Sequence, residues 1–483
     1  MAGSLRRWVG VPTVASALFA MLVAVAPGPA AATSKDGWDA RIVPVARRVE
    51  ALRHLRFKHP VPAEFLSVRK FRKRVTADEK STTRADRRAD NVSEAELRAL
   101  GLVGGSFDLV QETNDFNGSS VLAFYDSDTE KIVVRGTKLD AEVRVTLAHE
   151  LTHALQDQYY DLDRIRNHAD TSGADDAVLA LIEGDATRIE TEYYFELSAR
   201  DQRAVDRAEG GNGTSDVGGG PPSSPDAAST ASSAGIVGAL LDAPYALGPQ
   251  VVDVILARRH RPGLAEAFRQ PPRTQLQLLV PTRALDASPV AALERPRLAH
   301  GARRLASHEP DDFGAIDLYF LLASRLPSAT ALRSADAWSN GKELISRRGG
   351  QTCVNLVFAA SDRAGARRLG AALELWAAAM SPSTVTVVAD RLRVHACDPG
   401  RAAVAPPLSA ESALDVAAAR ASLIGDLVHS GAPGSVAGCV GDRIVDRPEF
   451  AIVVAHAQDE PSKAEIKAVG AAIEALIPGC LAA

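Results

Sequence analysis

The chain has 483 residues, 46% hydrophobic and 24% charged, with a formal net charge of −5. That length allows two or three folding units, and the composition supplies a sizeable core. Arg and Lys are interspersed with Asp and Glu, so there is no basic stripe of the kind that binds nucleic acid, and no nucleic-acid partner is expected.

Residues 1–32 read as a signal peptide: Arg6 and Arg7 give a positive start, residues 8–25 an apolar run, and Ala30-Ala31-Ala32 a small-residue cleavage site after Pro27. The expectation is therefore a secreted or extracytoplasmic protein, with association to the cell envelope allowed for. An uncleaved anchor is the competing reading, because the run is nearly long enough to span a bilayer. Residues 39–57 then read as an amphipathic helix, with Ile42, Val45, Val49, Leu52 and Leu55 at helical spacing and Pro60 and Pro62 stopping it. A strand and a short helix are expected over 61–75, an exposed connection over 76–92, and a helix capped by Ser93 with Glu96 completing a capping box. Residues 121–125 and 131–135 read as strands around a polar turn.

Two long helices follow, at 141–160 and about 175–203. Residues 208–235 are rich in Gly, Ser, Pro and Asp and poor in large apolar side chains, so a flexible insertion is expected there. Helical pattern returns at 236–259 and 264–270. From residue 311 a helix at 313–326 precedes a β-α-β-β unit (353–359, 363–380, 384–389, 392–397), and 410–480 reads as mostly helical. The four cysteines all lie in this last third. An even number in an exported chain points to disulfides. The pairing Cys353–Cys397 and Cys439–Cys480 is favoured, since each pair brackets one unit. Zinc binding by the four is the weaker rival, because no two stand close enough for a C-x-x-C knuckle. His395, near Cys397, reads as a strand residue.

The chemistry is concentrated in His149-Glu150-Leu151-Thr152-His153. Residues four apart share a helix face, so His149 and His153 can direct their imidazoles at one Zn²⁺. Glu150 can then take a proton from a zinc-bound water and deliver it to a leaving amine. Leu147, Ala148, Leu151, Ala154 and Leu155 form an apolar stripe that would anchor the helix from behind. A catalytic zinc needs a third protein ligand and an open position. Gln156 and Tyr159 stand where a metzincin would have Gly and His. The preferred third ligand is Glu183, on the next long helix beside Ile182, Ala186 and Ile189, with Asp185, then Asp176 or His168, as alternatives. Gly184 is costly inside a helix by about 1 kcal/mol, which suggests close approach of another backbone. Tyr125, Tyr159, Tyr160 and Tyr245 are open candidates for stabilising an oxyanion.

His149 to Gln158, followed by Glu183-Gly-Asp-Ala186, resembles the gluzincin branch of zincin zinc metallopeptidases. More narrowly, the chain is similar to exported actinobacterial neutral zinc metallopeptidases. The likeness runs through residues 51–57, 124–126 and 244–248 and covers about residues 40–300. It implies an α+β fold: a zincin-like metallopeptidase domain at 33–300 with a small sheet, active-site helix and helical lobe. A disulfide-bearing C-terminal region would follow as units at 311–400 and 405–483. It further implies that an edge strand, residues 121–125 or 131–135, aligns substrate by strand addition. Two departures stand out. Thr187 occupies the place of the acid that usually steadies a ligand His, and residues 271–281 carry Leu276 and Val280 where relatives often have Glu and His. The expected function is a secreted zinc metallopeptidase, an endopeptidase hydrolysing peptide bonds of a peptide or protein substrate. The alternatives are a non-catalytic envelope protein that keeps the metal site for structure or partner binding, and a metal-dependent hydrolase of another substrate. An intact Glu150 favours catalysis, since a structural site needs no general base.

Overall fold

A computed structural model describes residues 37–76, 83–212, 225–285, 290–298, 300–305, 311–380, 382–388, 391–407, 410–455 and 462–482. The expected signal peptide lies outside the described residues. The fold is α+β.

The chain enters through helix α1 (Val43–Arg53), which stops where His54 turns left-handed at φ 58°. Strand β1 (Ala63–Leu66) and helix α2 (Val68–Val75) follow. Helix α3 (Arg84–Ala99) starts ten residues earlier than the expected Ser93 cap. Thr83 accepts from the amides of Ala85 and Asp86, and Asp86 returns a bond to Thr83, so the capping box belongs to that pair and Ser93 is buried mid-helix. After α4 (Leu109–Ser120) come β2 (Ala123–Asp126) and β3 (Lys131–Arg135). These strands form a three-stranded sheet of order β1-β3-β2, with β1 parallel and β2 antiparallel to β3. Strand β3 is therefore central, and of the two strands proposed as the edge only β2 lies at one. The parallel partner arrives from 65 residues upstream, where no local pattern announces it.

Helix α5 (Ala141–Tyr160) carries the metal motif over the span read from the sequence. Asp140 caps it by accepting from the Val143 amide, and Asp161 ends it at φ 57°. A short α6 (Leu162–Asn167) leads to α7 (Ser172–Phe195), which is capped by Thr171. The expected second long helix is in fact two, because the chain breaks after Phe195 and resumes as α8 (Ala199–Asn212). Helix α9 (Pro225–Arg269) runs past Pro244, Pro249 and Pro262 with a kink at His260. Both ends of the expected insertion are thus helical, and 213–224 lie outside the described residues. Where α7 crosses α9, a Cβ on Gly184 would lie 2.2 Å from the carbonyl carbon of Gly248, and one on Gly248 would lie 2.1 Å from the Ala180 oxygen. This is the close backbone approach that Gly184 signalled.

The remainder begins with a single turn, α10 (Leu276–Leu279), and two short strands, β4 (Arg303–Arg304) and β5 (Asp311–Asp312). Helices α11 (Ala315–Ala323) and α12 (Ser328–Ala335) precede β6 (Trp338–Arg348), β7 (Gln351–Ala360), α13 (Arg363–Ala379), β8 (Ser383–Val388) and β9 (Arg391–Cys397). The sheet has the order β4-β6-β7-β9-β8, with β5 also on β6. The β-α-β-β unit is present as expected, and β6 adds a strand that its polar Ser339-Asn340-Gly341-Lys342-Glu343 stretch had hidden. Helices α14 (Ala410–His429), α15 (Gly434–Ile444), α16 (Phe450–Ala455) and α17 (Lys463–Leu481) finish the chain. Both favoured disulfides form. Cys353 pairs with Cys397 directly across β7 and β9, and Cys439 with Cys480 between α15 and α17.

One apolar cluster runs from Val178, Leu181 and Ile182 of α7 and Leu247 of α9 through Phe320, Phe358 and Trp376 to Ala417 and Val440. A second packs α1 and the small sheet against Leu147, Leu151 and Leu155 of α5, and also holds Ile189. Helix α7 contributes to both, so its polar residues sit at their junction.

Candidate metal centre

Helix α5 is buried nearly all round, unlike a surface helix. Its apolar stripe faces the second cluster, and the opposite side turns His149, Glu150 and His153 toward α7. There the Nε2 atoms of His149 and His153 lie 3.1 and 3.2 Å from Glu183 Oε2. The two rings meet edge to face with centroids 4.6 Å apart. An ion bound tetrahedrally at about 2.0–2.1 Å keeps its ligand atoms roughly 3.3 Å from one another. Both imidazole–carboxylate distances stand near that spacing, all three ligand atoms lie within 4.8 Å of one another, and the group could hold a metal ion. The donor set, two imidazole nitrogens and one carboxylate, suits zinc.

The structure separates Glu183 from its alternatives. Asp185 points away, into a buried contact with Arg53 (2.7 Å). Asp176 accepts from Gln275 at 2.6 Å, and His168 faces the Arg164 carbonyl on the surface. Leu276 is buried in the large core and Val280 packs against it, so the altered segment serves packing. The other grouping with ligand spacing, Cys353, His395 and Cys397, has its sulfurs joined in a disulfide. There the His395 ring faces Asn355 at 3.0 Å across the sheet.

The electrostatics follow from burial and paired charge. Burial pushes the Glu183 carboxyl up, but His153 and His149 outweigh it and hold the group well below the carboxylate range. Burial likewise disfavours the charged His149 ring, yet Glu190 and Glu183 raise its pKa well above 6.5. His153 is raised in the same way, chiefly by Glu183. For Glu150 burial is the largest influence, and its pKa ends above normal despite the opposing His149 and His153. Its Oε2 accepts from the Tyr125 amide at 2.7 Å, so the edge strand β2 holds this carboxylate beside the two histidines.

Glu190 is a site residue that the sequence reading did not select. Its Oε2 lies 2.9 Å from His149 Nδ1, which requires that nitrogen to carry a proton; without metal Nε2 carries one toward Glu183 as well, and a bound metal would take the place of that second proton. It does the work expected of an acid at position 187, one turn further on. Seven residues separate it from Glu183, and that helical spacing was the available signal. Of the four tyrosines, the fold brings Tyr245 alone onto the metal ligands. Its ring stacks on His149 (centroids 5.9 Å apart). The residue is partly exposed, and desolvation of its hydroxyl, with the charges of Glu183 and Glu150, raises its pKa well above normal. Tyr125 is committed to Asp157 (2.8 Å), Tyr159 to the Arg56 carbonyl (3.0 Å), and Tyr160 stacks on Phe268.

Comparison of the chain with protein-family models, with curated proteins and with solved structures finds no match.

Proposed function

We propose that this chain is an exported zinc-dependent peptidase whose residues 33–300 form a zincin-type catalytic region. The observation that carries the reading is the convergence of His149 Nε2, His153 Nε2 and Glu183 Oε2 around one point, with Glu150 beside them but outside the ligand set. A purely structural zinc site is closed by four protein ligands; three ligands and an adjacent carboxylate suit catalysis. When bound, zinc polarises a water molecule and the carbonyl under attack.

The protein groups divide the remaining work. Glu150, oriented by the Tyr125 amide through Oε2, accepts the proton of the attacking water and returns it to the departing amine nitrogen. A carboxylate whose pKa is raised toward neutrality is suited to both halves of that transfer. Tyr245, at the open side of the ligands, donates its hydroxyl hydrogen to the oxygen on which charge develops. Strand β2 supplies the platform for substrate. The Arg135 amide donates to the Leu122 oxygen at 2.8 Å, and the antiparallel alternation turns the Ala123 amide and carbonyl and the Tyr125 carbonyl to the open edge, where the Tyr125 amide serves Glu150. An extended peptide can pair there, next to Glu150. Export is supported by residues 1–32 and by the two disulfides, which suit an oxidising compartment.

The test is digestion of an unstructured protein by the mature chain and by Glu150→Gln. The expected result is cleavage by wild type, a rate about 10²- to 10⁴-fold lower in the variant, and unchanged zinc content. Equal rates would remove Glu150 from the mechanism. A zinc-loaded wild type that cleaves no peptide would favour the envelope-protein alternative.

A further inference from the structure

His153 is steadied differently from His149. Its Nδ1 meets the side-chain oxygen of Gln156 at 3.1 Å, one turn along the same helix. A carboxamide can face a ring nitrogen with either end, so by itself Gln156 would not decide which nitrogen of His153 carries the proton. Its surroundings decide. The Gln156 nitrogen donates to the Ile182 carbonyl at 3.1 Å and to Asp185 Oδ2 at 2.9 Å. A backbone carbonyl and a carboxylate can only accept. Turning the amide over would set its oxygen against two acceptors inside a buried pocket, where unpaired polar groups are costly. Asp185 is fully buried and accepts from Arg53 Nε at 2.7 Å, a residue of α1 that is itself buried.

We infer that Arg53, Asp185 and Gln156 form a buried relay that fixes His153 as the Nδ1–H tautomer and so points the Nε2 lone pair at the metal position. The inference rests on the zinc reading above and extends it to three positioning residues. The relay explains why an N-terminal helix far from the motif in sequence packs beside it. Arg53 holds the Asp185 carboxylate in place, Asp185 and the Ile182 carbonyl set the direction of the Gln156 amide, and the amide oxygen meets His153 Nδ1. With His149 held by Glu190, both ligand rings present Nε2 through acceptors placed behind them.

The tautomer is read in the mature chain carrying Glu183→Ala, labelled with ¹⁵N-histidine, metal-depleted and at a pH high enough to leave the imidazole neutral, because without metal the Glu183 carboxylate, 3.2 Å from His153 Nε2, draws a proton to that nitrogen. Long-range ¹H–¹⁵N spectra of that chain are read together with zinc affinity, from chelator competition, of the chain with Glu183 intact. The Glu183→Ala chain is expected to show His153 protonated at Nδ1. Gln156→Leu, which removes the acceptor, should mix the tautomers and weaken zinc binding about 10- to 100-fold. Gln156→Glu should also weaken it, by setting two carboxylates together. The double variant Gln156→Glu/Asp185→Asn, which restores an acceptor behind His153 and a donor beside it, should recover affinity to within a few-fold of wild type and recover the Nδ1–H signature. If Gln156→Leu does not fold, the comparison of Gln156→Glu with the double variant decides. Nε2–H in the Glu183→Ala chain, or a double variant no better than Gln156→Glu, would overturn the relay. Nδ1–H in that chain beside a wild type that binds no zinc would leave the relay standing and overturn the metal reading instead.

Discussion

The two halves of this protein secure themselves by different physics. The half with the candidate metal site carries no disulfide. Its helices α1, α5, α7 and α9 are fixed by buried charge and hydrogen bonds: Arg53 to Asp185, Gln156 between Asp185 and His153, Glu190 behind His149. The C-terminal half has fewer buried charges, chief among them the Arg420–Asp336 ion pair. It relies on a sheet with one face under α13 and on Cys353–Cys397 and Cys439–Cys480. A disulfide holds a fold without orienting any group toward a ligand. A buried polar network is costly to assemble and is worth keeping where side chains must present a particular atom. The contrast agrees with the proposed function, in which the chemistry lies in the first half and the second packs against it through the core the two share.

That contrast can be broken from either side. The largest effect expected is from Arg53→Met, which leaves Asp185 buried with only Arg188, 3.5 Å away, as a charged partner. Losing one member of a buried pair costs about 3–5 kcal/mol. Denaturant titration should show that loss, and zinc should recover part of it, because a ligand of the native state stabilises by mass action. Removing Cys439–Cys480 by the paired substitution Cys439→Ser and Cys480→Ser opens a loop of 41 residues and should cost about 2–4 kcal/mol. Zinc affinity should not change, and a change there would mean that the two halves are coupled through more than packing.

The smallest effect is on pH. Glu190 and Glu183 hold the His149 proton more tightly than free imidazole would, and Glu183 does the same for His153. A raised native pKa contributes stability that is complete below about 6.5 and is lost as pH climbs through the raised value. The metal-free chain should thus lose stability as the solution becomes alkaline. Zinc has to displace those same protons, so its affinity should rise over that interval, roughly tenfold for each proton displaced per pH unit. Thermal unfolding of metal-free and zinc-loaded protein across this range reads both trends, and parallel curves would contradict the assignment.

What the sequence made legible was whatever local pattern determines. Helix α5 was readable to its ends because Asp140 and the motif define it, and Gly184 announced a close crossing because glycine inside a helix has few other uses. Glu183 was reachable as an acid beside an apolar stripe. Other features depended on tertiary partners. Choosing Tyr245 among four tyrosines needed the contact of Gly184 with Gly248, which sets α9 against the ligands. Seeing that β3 is central needed β1. The relay needed Arg53 to come from another helix altogether, and the polar run 339–343 concealed a strand whose neighbours bury it. Ser93 was misread as a cap because a Ser-x-x-Glu pattern occurs inside helices as well as at their starts, and only the turn at Thr83 distinguishes the two.

The central claim is the metal site, and zinc content tests it most directly. Mature wild-type protein, equilibrated with zinc and freed of excess, should hold a single ion per chain. Glu183→Ala, missing one of three ligands, should release it to a chelator that wild type withstands. A wild type that retains no zinc, or a Glu183→Ala protein that binds as tightly as wild type, would contradict the site as described.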